Sequence, residues 1–292
     1  DVTRTTLSRA ALAATAALLL GACSATAEPT AATGPVPGPP ATVAPARVTR
    51  ALPDDPALLV LPATGAESRW TQGLDVFRQQ VARSVAADCA REAGTGLPQE
   101  PPLAFISYAE LPDLVYLGRH GFGHGTEVPV PAAGSTPGRT GSDAEIRRCR
   151  ARGEAAGEKV REVYLPLQRR WFGELSASRR DPAAVRALRT LPGCLAGKGY
   201  RARDEDAFFA LVDRTMMNAS TADYARQDRA LGSAYATCMR PVEAAREPLR
   251  RTLRRHFLDT HAEEVRDLRT TLVPALRDAE RTYGVRLMFP TP

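Results

Sequence analysis

Apolar residues recur every three or four positions over most of the chain, the spacing of one buried helix face. Trp70, Leu74, Phe77, Val81, Val85 and Cys89 form the first such stripe, and Gly94 supplies a C-cap after it. A second helix opens at Ser142-Asp143-Ala144-Glu145, a capping-box pattern. Its stripe runs through Ile146, Cys149, Ala156, Val160, Val163, Leu167, Trp171 and Leu175, with a bend expected at Pro166. Asp181-Pro182 starts a third helix, carrying Val185, Leu188, Leu191, Cys194 and Leu195 and stopping near Gly197 or Gly199. A short helix follows from Asp204 through Phe208, Leu211 and Val212. The longest stripe runs from Tyr224 to Ala279, through Leu231, Tyr235, Cys238, Val242, Phe257, His261, Val265 and Leu272. Pro241, Pro248 and Pro274 are expected to kink or divide it. Arg250, Arg254, Glu264 and Arg269 lie opposite the stripe, where a solvent face belongs.

Other segments carry no helical period. Residues 97–141 are punctuated by proline and glycine, with a small apolar patch at Phe105, Ile106, Tyr108 and Tyr116. Ala57 to Pro62 reads either as a short strand or as the lead-in to the fold. Ser24 to Pro56 is dominated by Ala, Thr, Pro and Gly, a composition that buries little and favours extended conformers. The pattern therefore predicts an all-α fold: an irregular bundle of about five helices over residues 57–292, with a long kinked C-terminal helix. A spacer over residues 23–56 precedes it.

Composition adds setting rather than function. The chain has 292 residues, 43% of them hydrophobic and 25% charged, enough to bury a core. That balance excludes a collagen-like, disordered or polytopic membrane protein. The formal charge is +6, and 37 of the 39 basic residues are Arg, Lys159 and Lys198 being the exceptions. The arginines stand among 33 acidic residues without one evident basic stripe, so nucleic acid is not an expected partner.

The N-terminus supplies the strongest signal. Arg4 and Arg9 precede an apolar run from Ala10 to Leu20, which is about half the length that spans a bilayer. Residues 1–22 thus match a secretory signal. The run ends in Leu19-Leu20-Gly21-Ala22-Cys23, which resembles the bacterial lipobox. That resemblance implies cleavage before Cys23 and attachment of diacylglyceryl and palmitate-type chains to it. It also implies a protein lipid-anchored on the extracytoplasmic face of the cell membrane. Loss of residues 1–22 lowers the formal charge from +6 to +5 and leaves four further cysteines. Outside the cytosol these are expected as disulfides. If consecutive helices pack antiparallel, Cys89 pairs with Cys149 and Cys194 with Cys238. A zinc tetrathiolate is the competing use, but no Cys-x-x-Cys spacing occurs.

The lipobox, the Pro-rich spacer and helices bearing Cys89-x4-Gly94 and Cys194-x4-Gly199-Tyr200 resemble predicted lipoproteins of actinobacteria with no assigned activity. Pro241, soon after Cys238, departs from the uninterrupted helix expected there. The resemblance supplies no catalytic residues and no cofactor.

Candidate chemistry is sparse. His120 and His124 lie in Gly118-Arg119-His120-Gly121-Phe122-Gly123-His124-Gly125, with Glu127 nearby. Two imidazoles and a carboxylate are the elements of a metal site, and the glycines admit an anion to backbone amides. A flexible loop with two exposed histidines is the simpler reading. His256 and His261 are five positions apart, on different helix faces, and His261 reads as a core histidine. The expected function is a non-enzymatic binding or accessory lipoprotein of the cell envelope, with an envelope protein or wall polymer as partner. The alternative is an envelope hydrolase or metal-binding protein using the His120/His124 segment.

Overall fold

The computed structural model describes residues 45–106, 111–129 and 141–291. It is mostly helical, with α1 Ser68–Glu92, α2 Leu114–His120, α3 Asp143–Arg161, α4 Leu165–Ala177 and α5 Pro182–Leu188. Then come α6 Leu191–Gly197, α7 Glu205–Asn218, α8 Thr221–Thr260 and α9 Ala262–Tyr283. These are more, and shorter, helices than the five expected. Ala57 to Pro62 is lead-in rather than strand: Pro56–Leu59 is a 3-10 turn, and Leu59, Val60 and Leu61 are buried.

Proline explains part of the subdivision. Pro166 and Pro192 each occupy the first turn of a new helix, α4 and α6, where the missing N–H has no partner to lose. The expected bend at Pro166 is thus a break, and Val163 beside it is exposed. Val185, placed on the third stripe, is also exposed; Ala184 takes the buried position. Pro241, Pro248 and Pro274 behave differently, lying on exposed faces inside α8 and α9 without ending either helix. The long stripe divides instead at His261. Its backbone leaves helical angles, φ −111° and ψ 31°, yet its N–H still bonds the Phe257 carbonyl at 2.9 Å. Its ring lies tilted against Phe257, 4.3 Å between centroids, and its Nδ1 lies 3.2 Å from Glu264, so this histidine marks the break between α8 and α9 at the edge of the core.

Two large apolar clusters form. The first gathers Trp70, Phe77 and Val81 of α1, Trp171 of α4, Phe257 of α8, Leu272 and Leu276 of α9, and Leu59 and Leu61 of the lead-in. The second gathers Leu117, Leu191, Leu195, Phe208, Leu231, Tyr235, Cys238 and Val242. Helix α8 contributes to both. Between its two apolar stretches lie buried Glu243, Arg246 and Arg250. Arg250 is therefore not a solvent-face residue: it pairs with Glu243 two turns earlier, and Arg246 approaches the same carboxylate at 3.5 Å. A buried arginine persists only where such a partner offsets its desolvation.

The ends of the described chain meet. Val48–Thr49 pairs antiparallel with Phe289–Pro290, Val48 opposite Pro290, and the Ala46 N–H bonds the Glu127 carbonyl at 2.9 Å. Phe289 also stacks edge-on against Trp70, at 4.8 Å between centroids. The described residues form one compact unit. No described helix is long and apolar enough to cross a membrane.

Helices α1 and α3 approach closely because α3 carries Gly153 and Gly157 toward α1. A Cβ at Gly153 would stand 2.2 Å from the Ala82 carbonyl oxygen, and one at Gly157 would stand 3.0 Å from that of Arg78. Gly173 of α4 has open space around it. Gly153→Ala should therefore destabilise the fold by about 1–3 kcal/mol, despite alanine's better helix propensity. Gly173→Ala should stabilise it by up to about 1 kcal/mol. Chemical denaturation of both variants checks the pair; a stabilising Gly153→Ala would contradict the packing.

Candidate functional site

The structure joins Cys89 to Cys149 and Cys194 to Cys238, with Cα separations of 5.4 and 5.6 Å. The first bond ties the end of α1 to the start of α3; the second ties α6 to the middle of α8. Cys89, Cys149 and Cys238 are buried and Cys194 is half-buried. Disulfide-bonded sulfurs carry no thiolate, so these four supply neither nucleophile nor metal ligand. Cys23 and Tyr108 lie outside the described residues.

The histidine-bearing segment is more ordered than a flexible loop. Asp113 caps α2 by accepting from the N–H groups of Val115 and Tyr116, at 3.1 and 3.0 Å. His120 is the last residue of that helix, and His124 opens a short 3-10 turn, His124–Thr126. Gly121 makes the corner at φ +77°, a left-handed value that glycine adopts without steric cost. Both Gly121 and Gly232 of α8 permit close approach. A Cβ on Gly232 would stand 2.6 Å from the Leu117 carbonyl oxygen and 2.7 Å from the Gly121 Cα.

The glycine-flanked amides of this segment do bind an anion, and it is the protein's own. Asp228 of α8, 1% exposed, accepts from the Phe122 N–H at 2.7 Å and from the Gly123 N–H at 3.1 and 3.2 Å to its two oxygens. Geometry that looked suited to a ligand in the sequence thus locks α2 onto α8.

His120 is part-buried and lies 4.4 Å from the Tyr116 ring, centroid to centroid. Its Nε2 and the Tyr116 hydroxyl are both buried without hydrogen-bond partners. Burial, with the neighbouring Arg119 cation, pushes the His120 pKa below the usual imidazole value, against the smaller pull of Asp113. Burial also raises the Asp113 carboxyl and the Tyr116 phenol. Among the described residues, no group of three or more His, Cys, Asp and Glu side chains is placed to hold a metal ion.

The patch expected beside this segment is split. Phe105 and Tyr116 are buried in a small cluster with Leu103 and Val128, whereas Ile106 is 47% exposed. Elsewhere, a shallow open hollow of about 200 Å³ is lined by Asp55, Ala57, Leu58, Leu61, Arg254 and Leu258. Its charged groups are already engaged: Asp55 with Arg269 at 2.7 Å, and Arg254 with Glu67 at 2.6 Å. The Arg269 guanidinium, more than any other neighbour, holds the Asp55 carboxyl below its ordinary pKa. Apolar lining and neutralised charges leave this hollow no evident reacting group.

No family model, curated protein or solved structure matches this chain.

Two outcomes follow from this geometry. Asp228→Ala strands two backbone amides and should destabilise the fold by about 2–4 kcal/mol, read as a lower denaturation midpoint with an unchanged slope. His120, with its lowered folded-state pKa, takes up its proton more readily in the unfolded chain, so stability falls as pH drops below about 6.5. In thermal unfolding at pH 7.5 and 5.5, His120→Gln should show a smaller loss of Tm on acidification than the parent.

Proposed function

We propose that the protein is an extracytoplasmic lipoprotein, held at the membrane by acyl chains on Cys23, whose body is a non-enzymatic binding or accessory component of the cell envelope. One observation carries the reading: the body's four cysteines are consumed pairwise, leaving Cys23 as the single thiol, at the end of a lipobox-like sequence. Structural disulfides of this kind belong to oxidising compartments. The absence of catalytic work is supported by how the polar groups near His120 are used. Asp113 caps a helix and Asp228 clamps a loop, so neither carboxylate stands ready as a general base.

Expression in a bacterial host that processes lipoproteins tests the anchor. The parent should incorporate a palmitate analogue and stay in the membrane fraction through a high-salt wash. Processed Cys23→Ser should lose the label and wash into the soluble fraction with both disulfides intact. An unlabelled parent, or a processed variant that resists the wash, would overturn the anchor.

A further inference from the structure

The chain's positive charge is concentrated. From Arg169 to Arg203 there are nine basic residues against two acidic ones, Glu174 and Asp181, so this stretch alone is more positive than the whole chain at +6. All nine basic side chains belong to exposed residues. Arg170 pairs with Glu264, and Arg203 with Asp204 at 3.0 Å. Arg179 has a contact of its own. Among the described residues, Arg169, Arg180, Arg186, Arg189, Lys198 and Arg201 stand without a carboxylate in ion-pairing range. Asp181 does not answer them: its Oδ1 caps α5 by accepting from the Ala183 and Ala184 N–H groups, at 2.8 and 3.1 Å.

The fold explains why one side of this stretch is so charged. Helix α5 buries Ala184 and half-buries Ala187 and Leu188 as it packs beside α8, leaving Val185, Arg186 and Arg189 outside. Arg180 precedes its first turn. After two residues α6 begins, and Lys198 and Arg201 flank the turn at Gly199, φ +88°, that ends it. Arg180 thus ends the turn before α5, Arg186 and Arg189 lie in its last turn and C-cap, and Lys198 caps α6. Among them sits an exposed apolar side chain, Val185, at 39%.

We propose that this basic face docks the body onto an anionic phospholipid bilayer. The inference rests on the lipid-anchored reading above, since an anchor at Cys23 and a stretch to Ala46 no longer than about 80 Å keep the body beside the membrane. Clustered Lys and Arg gain from the surface potential of anionic lipid, and unpaired exposed cations pay little desolvation on reaching the headgroups. The exposed valine favours a bilayer over a soluble polyanion, because a headgroup layer accepts an apolar side chain between cations and a polyanion gains nothing from it.

The test uses residues 40–292, which contain every described residue of the compact unit and lack Cys23, so its outcome is independent of the anchor. Oxidised protein is sedimented with vesicles of phosphatidylcholine alone or with about one third phosphatidylglycerol. Binding should require phosphatidylglycerol and fall at least about tenfold between roughly 50 and 500 mM salt. Combined Arg180→Glu, Arg186→Glu and Arg189→Glu should weaken it at least about tenfold with an unchanged circular dichroism spectrum. Val185→Ser should weaken it severalfold. Reversing Arg147, Arg148 and Lys159 on α3, an equal change in net charge, should cost less than about threefold. Equal binding to neutral vesicles, equal loss from the α3 reversal, or binding to heparin at least as tight as to the anionic vesicles would overturn the proposal.

Discussion

One helix has to serve two cores, and most of the architecture follows from that constraint. Helix α8 carries Leu231, Tyr235, Cys238 and Val242 into one apolar cluster and Phe257 into the other. The stretch between them cannot be apolar on every face, yet it is not in water either. Glu243, Arg246 and Arg250 offset one another's charge inside the protein, although Glu243 Oε1 and the Nε of each arginine are buried without hydrogen-bond partners. Tyr235 adds a second polar fastening, its hydroxyl donating to Glu205 of α7 at 2.6 Å. Removing Glu243 alone would leave two arginines buried without their carboxylate, a far larger cost than the net worth of the pairs.

Covalent and non-covalent fastenings then attach other helices to this strut and to α1. The Cys194–Cys238 bond holds α6 on α8, Asp228 and the paired Gly121 and Gly232 backbones hold α2 on it, and Cys89–Cys149 holds α3 on α1. Each disulfide closes a loop of 44 or 60 residues. In the chain-entropy model such loops are worth about 4 kcal/mol apiece, comparable to the whole net stability of many domains. A body with several short helices, which are marginal in isolation, gains its definition from these attachments rather than from helix propensity.

Local chemistry was legible in the sequence and tertiary compensation was not. The capping box at Ser142 and Glu145 forms as its spacing predicts, and Asp181 and Asp204 cap α5 and α7, because a cap depends on neighbours within three residues. The disulfide pairs match the expectation of antiparallel neighbours, although the helices they join, α1 with α3 and α6 with α8, are each separated by a further helix in the chain. By contrast, Arg250 looked like a solvent residue because its burial depends on α8 passing between two clusters. Its only sequence signal was Glu243 seven positions earlier, on nearly the same face. The four-residue spacing of Gly153 and Gly157 was an available sign of close helix packing. Asp228 offered none, since its partners lie more than a hundred residues away. The histidine segment misled for the same reason: its glycines admit an anion, but the anion is supplied by a distant helix.

The fold depends on α1 being stapled to α3 and α6 to α8. Non-reducing peptide mapping by mass spectrometry, on protein expressed in an oxidising compartment with thiols blocked at lysis, reads this directly. It should return one crosslinked peptide pair containing Cys89 and Cys149, another containing Cys194 and Cys238, and no blocked thiol among the four. Recovery of a Cys89–Cys194 or Cys149–Cys238 pair, or of four blocked thiols, would contradict it.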